Sequence, residues 1–151
     1  MRRKKLLWLT VPLMACMALF FSPPIGVDAV STTTPIDLGK KETWGADADR
    51  EYITIRPCTG ECEHIITGTF DASTITSNTL ESIIQVEGGP HNIIFRNVNL
   101  SLNDGQNDDL HIRAFALGDT AVVNLTLEGD NVLRSAGAKS ALYVPQQASL
   151  K

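Results

Sequence analysis

From residue 52 onward, short runs of β-branched and apolar residues alternate with polar ones and break at Gly, Asn and Asp. Tyr52-Ile53-Thr54-Ile55, His64 to Phe70 and Ile83-Ile84-Gln85-Val86 are three such runs. In a fourth, Val98, Leu100 and Leu102 share one side while Asn99 and Ser101 take the other; Val123, Leu125 and Leu127 repeat this against Asn124 and Thr126. A period of two belongs to a half-buried strand, and branched side chains fit a pleated surface. Beyond residue 29 no stretch carries an apolar stripe at helical spacing. The pattern predicts an all-β chain with Ile84, Val86, Val98, Leu100, Val123, Leu125, Leu127, Leu142 and Val144 facing inward.

The runs form a larger unit that recurs at about 30 residues. One copy is Ile83 to Val86, a Gly88-Gly89-Pro90 turn, Ile93-Ile94-Phe95 and Asn97 to Leu102. A second is Ala114 to Leu117, Gly118-Asp119, Val122 to Leu127 and Gly129-Asp130-Asn131; a third begins at Ala141-Leu142-Tyr143-Val144. Such a unit cannot bury its apolar residues alone, but stacked copies can, each inward row packing on the next. A solenoid of about four coils is predicted over residues 50–151. Asparagines at successive turns, Asn97 and Asn131, either hydrogen-bond along the stack or accommodate a left-handed turn. The repeat runs to Lys151 with no polar capping segment after it, so the solenoid is expected to be incomplete at its C-terminus.

The N-terminus has a different character. Arg2, Arg3, Lys4 and Lys5 precede an apolar run from Leu6 to Phe21, and Val27-Asp28-Ala29 offers small residues for cleavage. This order predicts a secretory signal peptide over residues 1–29. The apolar run is short for a membrane span, so no span is expected after cleavage. Residues 30–49, rich in Thr, Ser and Lys, are expected to form an extended leader to a single domain. The first 29 residues hold four of the 13 basic and one of the 17 acidic residues, leaving the exported chain a formal charge of −7. That excludes the basic surface nucleic acid selects and suits cations, or acidic glycans bridged by them.

Two cysteines remain after residue 29. Cys58 and Cys62 enclose Thr59-Gly60-Glu61, and in an exported chain oxidation to a disulfide is the default. A metal site of Cys58, Cys62 and His64 is the alternative, but it falls short of the four ligands of structural zinc. His64, His91 and His111 are scattered in sequence and are expected at turns or strand edges. Asp104, Asp108 and Asp109, flanked by Asn103 and Asn107, supply oxygen for calcium, although the spacing lacks the terminal Glu of an EF-hand loop. No nucleophile elbow, zinc-protease motif or phosphate loop occurs. No catalytic residues are therefore assigned.

Ile66-Thr67-Gly68-Thr69, Ile84 to Gly89, Ile94 to Leu100 and Leu125 to Leu133, with the cysteine turn ahead of them, resemble bacterial secreted carbohydrate-binding domain proteins. These have a right-handed parallel β-helix related in architecture to pectate lyases. The resemblance covers about residues 52–150 and implies a secreted or cell-surface protein whose partner is a polysaccharide or cell-wall glycan. It leaves two other readings, a fragment of a polysaccharide lyase or an adhesive stalk without a small ligand, since β-helices host all three. A lyase needs a basic residue and calcium beside an acidic sugar, for which Arg96, Arg113 and Arg134 are the candidates. Phe95 and Phe115 are expected in the core. The exposed aromatic supply is therefore small, with Trp44, Tyr52 and Tyr143 the main candidates.

Overall fold

A computed structural model describes residues 34–60, 62–77, 79–102 and 111–151. Residues 1–29, expected to be a signal peptide, and the aspartates at 104, 108 and 109 lie outside the described residues. The chain forms a parallel β-solenoid of about three turns, one fewer than the repeat suggests. Its strands are β1 (Ile36–Asp37), β2 (Ile53–Ile55), β3 (Cys62–Thr69), β4 (Ser82–Val86), β5 (Gly89–Ser101), β6 (Arg113–Leu117), β7 (Ala121–Glu128), β8 (Val132–Arg134), β9 (Leu142–Tyr143) and β10 (Ser149–Leu150). One sheet runs β1-β3-β5-β7-β10, with β8 also on β5; the other runs β2-β4-β6-β9. Every pairing is parallel, because each coil sends one strand to each sheet in the same direction.

The interior is filled by rows of like residues in register. Ile53, Ile84 and Phe115 form one row, and Ile55, Val86 and Leu117 the next. On the other sheet Ile66 pairs with Phe95, and Phe95 packs edge-on against Phe115 across the interior at 5.3 Å. Both rings are fully buried, as the sequence predicts. Of the nine residues expected inward, Ile84, Val86, Val98, Leu100 and Val123 are buried and Leu125 is half-buried. Leu127, Leu142 and Val144 are exposed. The alternation at those positions is intact, but β10 pairs only with Val122 and Val123, and no described strand lies beyond Leu127.

Each coil turns the same corner through a left-handed residue. Gly68 (φ 86°), Asn97 (φ 51°) and Gly129 (φ 70°) occupy it in β3, in β5 and after β7. Asn97 is a bulge, since Thr67 pairs with Arg96 and Gly68 with Val98, leaving it unopposed. The extra residue flips the inward positions of β5 from His91, Ile93 and Phe95 to Val98 and Leu100, a face that Leu102 continues just past the strand. Asn97 Oδ1 accepts from the Asp130 amide at 3.2 Å, and Asn131 Oδ1 accepts from the Val98 amide at 2.9 Å. Both asparagines thus tie successive coils, and Asn97 also takes the left-handed turn. A Cβ on Gly129 would collide with the Asn97 side chain. Farther along the same sheet Asn124 Nδ2 donates to Asn92 Oδ1 at 2.9 Å, a ladder contact the turn pattern does not announce.

The segment read as a leader packs on the solenoid. β1 adds to β3, and a 3-10 segment (Lys41–Asp47) folds back over it. Trp44 is buried, stacks on Phe70 at 6.2 Å and donates its indole N–H to the Asp37 carbonyl. A Thr- and Ser-rich composition predicts solvation, but two large apolar side chains, Leu38 and Trp44, suffice to anchor this stretch. Asp47, also buried, accepts from the Thr54 amide of β2 at 2.7 Å and pairs with Arg56 at 3.0 Å. It satisfies an amide that has no strand partner.

Candidate functional site

Two regions gather polar and reactive side chains. The first is the outer face of the four-stranded sheet. Register aligns Thr54, Gln85, Ala116 and Tyr143 in one row across β2, β4, β6 and β9. Tyr52, just ahead of β2, falls on the same face by alternation. Each ring is held by an arginine: Arg50 lies 5.3 Å from the Tyr52 ring and donates to its hydroxyl at 2.9 Å, and Arg113 lies 4.3 Å from the Tyr143 ring.

An open groove of about 560 Å³ runs beside this row. Asp49, Arg50, Glu51 and Tyr52 form one wall, and Ser77, Thr79 to Ser82 and Gln85 form the other. Glu51 ties the walls together by accepting from the Thr76 and Ser77 amides at 2.8 and 3.0 Å and from the Thr76 hydroxyl. The Thr76 hydroxyl bond, with the two amides, holds the Glu51 carboxyl below its ordinary range.

The second region is inside the solenoid, where β3 and β5 begin. Cys58 and Cys62 stand at disulfide distance, their Cα atoms 6.3 Å apart. Register pairs Cys62 with His91, and alternation puts His64 on the same inward row as Cys62. The two imidazoles lie 5.7 Å apart. Donor atoms of Cys62, His64 and His91 all fall within 4.8 Å of one another.

His91 Nε2 contacts the carbonyl oxygens of Glu87 at 2.9 Å and Gly88 at 2.8 Å. Both oxygens can only accept, so Nε2 bears the proton and Nδ1 presents a bare lone pair. His91 Nδ1 and His64 Nε2 are buried without a hydrogen-bond partner. Burial, and beside it the His91 ring, pushes the His64 pKa below the ordinary value of 6.5.

The sequence-predicted candidates distribute unevenly over these regions. The calcium ligands Asp104, Asp108 and Asp109 lie outside the described residues. Arg96 pairs with Glu128 on the six-stranded sheet at 2.6 Å, while Arg113 sits on the other sheet and Arg134 in β8. The three arginines do not converge. His111 stays at the edge, its Nδ1 facing the Ala138 amide at 3.4 Å.

His64 and His91 correct the expectation of scattered histidines, because the coil offset carries His91 to the side of Cys62. Aligning Ile66 of one repeat with Phe95 of the next would have revealed it. Neither family models, curated proteins nor solved structures match the chain.

Proposed function

We propose that the protein is a secreted or cell-surface solenoid that binds polysaccharide along the outer face of its four-stranded sheet. The observation that supports this most is the pair of arginine-held tyrosines at the two ends of that face, with Gln85 in the row between them and the groove against Tyr52. Strand spacing puts the two rings roughly 14 Å apart along the stack, from three steps of about 4.8 Å. Tyrosine rings offer an apolar face to sugar C–H groups, and Gln, Thr and Arg offer hydrogen bonds to hydroxyls. Rings already restrained by arginine lose less freedom on binding. The groove is open to solvent, which lets an extended chain reach it from outside.

The net charge of −7 after residue 29 favours a neutral polysaccharide, or an acidic one bridged by calcium at Asp104, Asp108 and Asp109. Titration of the purified chain against a panel of neutral and acidic polysaccharides, with calcium or chelator, tests the reading. Tyr52→Ala and Tyr143→Ala are each expected to weaken binding at least about tenfold, or ~1.4 kcal/mol. Asp108→Asn with Asp109→Asn is expected to remove any calcium dependence. A stalk without a ligand would bind no polysaccharide, and binding indifferent to both tyrosines would place the site elsewhere.

A further inference from the structure

The cluster at the start of β3 and β5 has a chemistry that polysaccharide binding does not use. One sulfur and two imidazoles meet in an otherwise apolar interior. His91, 2 % exposed, and His64, 8 % exposed, each carry a nitrogen with no partner. Buried polar groups are normally paired, and orphaned ones ask for an absent partner. The Glu87 and Gly88 carbonyls occupy His91 Nε2 and leave its buried Nδ1 without a partner, as carbonyls behind metal-bound histidines do.

We propose that, once the Cys58–Cys62 bond is reduced, Cys58, Cys62, His64 and His91 form a tetrahedral zinc site that disulfide formation closes again. The Cys-x3-Cys spacing falls within the range of zinc-binding pairs, and His91 supplies the fourth ligand missing from the local sequence. Thiolate and imidazole select zinc over the oxygen-seeking calcium or magnesium. In a tetrahedral shell with ordinary Zn–S and Zn–N bonds, sulfur and nitrogen lie about 3.5 Å apart. The donors of Cys62, His64 and His91 at present spread up to 4.8 Å, so these three close by roughly an ångström on binding, and Cys58 swings in to join them. Cys62, His64 and His91 sit on paired strands, while Cys58 sits on the turn with Gly60 (φ 110°), and that turn supplies most of the adjustment.

The chemistry balances in two steps. A dithiol reductant passes two electrons and two protons to the disulfide and becomes a disulfide itself, leaving two thiols on the protein. Zinc then forms two Zn–S and two Zn–N bonds and displaces both thiol protons to solvent. In reverse, exchange with an external disulfide rejoins Cys58 to Cys62 and expels the ion. The site is thus a redox-gated metal site inside the solenoid, where β3 and β5 begin.

The test uses the full chain, reduced with a phosphine under nitrogen and titrated with cobalt(II), then with zinc(II). One cobalt per chain is expected, with thiolate charge-transfer and tetrahedral ligand-field bands bleached by one equivalent of zinc; the disulfide form should take up none. His64→Ala and His91→Ala should weaken uptake by more than the roughly 10–100-fold typical of outer-shell changes. His111→Ala should leave it unchanged. Since replacing a core histidine can also unfold the chain, X-ray absorption of the wild-type zinc complex should show two sulfur and two nitrogen neighbours. No cobalt uptake by the folded dithiol, equal uptake by the disulfide form, or a shell without nitrogen from histidine would overturn the site. Uptake of copper(I) alone would overturn the assignment to zinc.

Discussion

Two strand segments with the same alternation meet different fates. Val98, Leu100 and Leu102 are all fully buried, whereas Val123 is buried, Leu125 half-buried and Leu127 61 % exposed. Over Asn99 to Ser101, β5 carries β8 in register, and Val98 pairs with Gly68 of β3 on the other side. On β7 the far neighbour pairs with Val122 and Val123 and reaches the Leu125 amide through the Lys151 carbonyl, so among the described residues Leu127 has a register partner, Phe95, only in the coil before it. In a stack, the alternation of a strand decides which face its side chains take, and the coils on either side decide whether that face is dry.

The largest expected effect breaks this contrast directly. Leu100→Asp puts an unpaired charge between coils at a cost of several kcal/mol and should abolish the fold, read by far-UV circular dichroism and solubility. Leu125→Asp should cost less, and Leu127→Asp should shift stability by no more than about 0.5 kcal/mol, as at exposed sites. Equal damage from Leu127→Asp would mean that its face is covered in solution.

Asn131→Ala comes next, since it leaves the buried Val98 amide without its 2.9 Å acceptor. A loss of about 1–3 kcal/mol is expected in urea unfolding. Asn97→Gly, which keeps the left-handed turn and removes only an exposed 3.2 Å bond, should change little. The pair sharpens the comparison by separating the inter-coil bond that supports the buried row from the one on the surface.

The interior histidine gives a pH signature that the exposed coil lacks. His64 has a folded pKa below 6.5, from burial first and the His91 ring second, so between the two values it is neutral when folded and protonated when unfolded. Its contribution to stability is therefore complete above about pH 6.5 and is lost as pH falls toward the folded value, with no further loss below it. Unfolding midpoints at pH 8 and pH 5 should differ in the wild type, and His64→Gln should narrow the difference.

A small effect lies on the outer face of the same sheet. Glu128→Gln breaks the half-exposed pair with Arg96 and should cost about 0.2–1 kcal/mol at low salt and less at high salt. A double-mutant cycle with Arg96→Gln reads it.

The amino-acid sequence by itself determined the strands, the faces they present and the stacked arrangement, because period-two alternation and turn residues act within a few positions of one another. It also brought Cys58 to Cys62, four residues apart, and placed Phe95 and Phe115 in the core. Only the tertiary structure decided which residues of different coils meet. The offset between paired strands is 29 residues from Cys62 to His91, 32 from Ile93 to Leu125 and 27 from Phe115 to Leu142, so a repeat of about 30 cannot specify a neighbour. The unequal turns set those offsets, and the Asn97 bulge adds a residue to the coil that follows it; through the offsets His91 reaches Cys62 and Tyr143 aligns with Gln85, while the fold-back of the first segment brings Trp44 to Phe70. Alternation is a property of the local backbone, whereas register between coils accumulates over every turn residue in between.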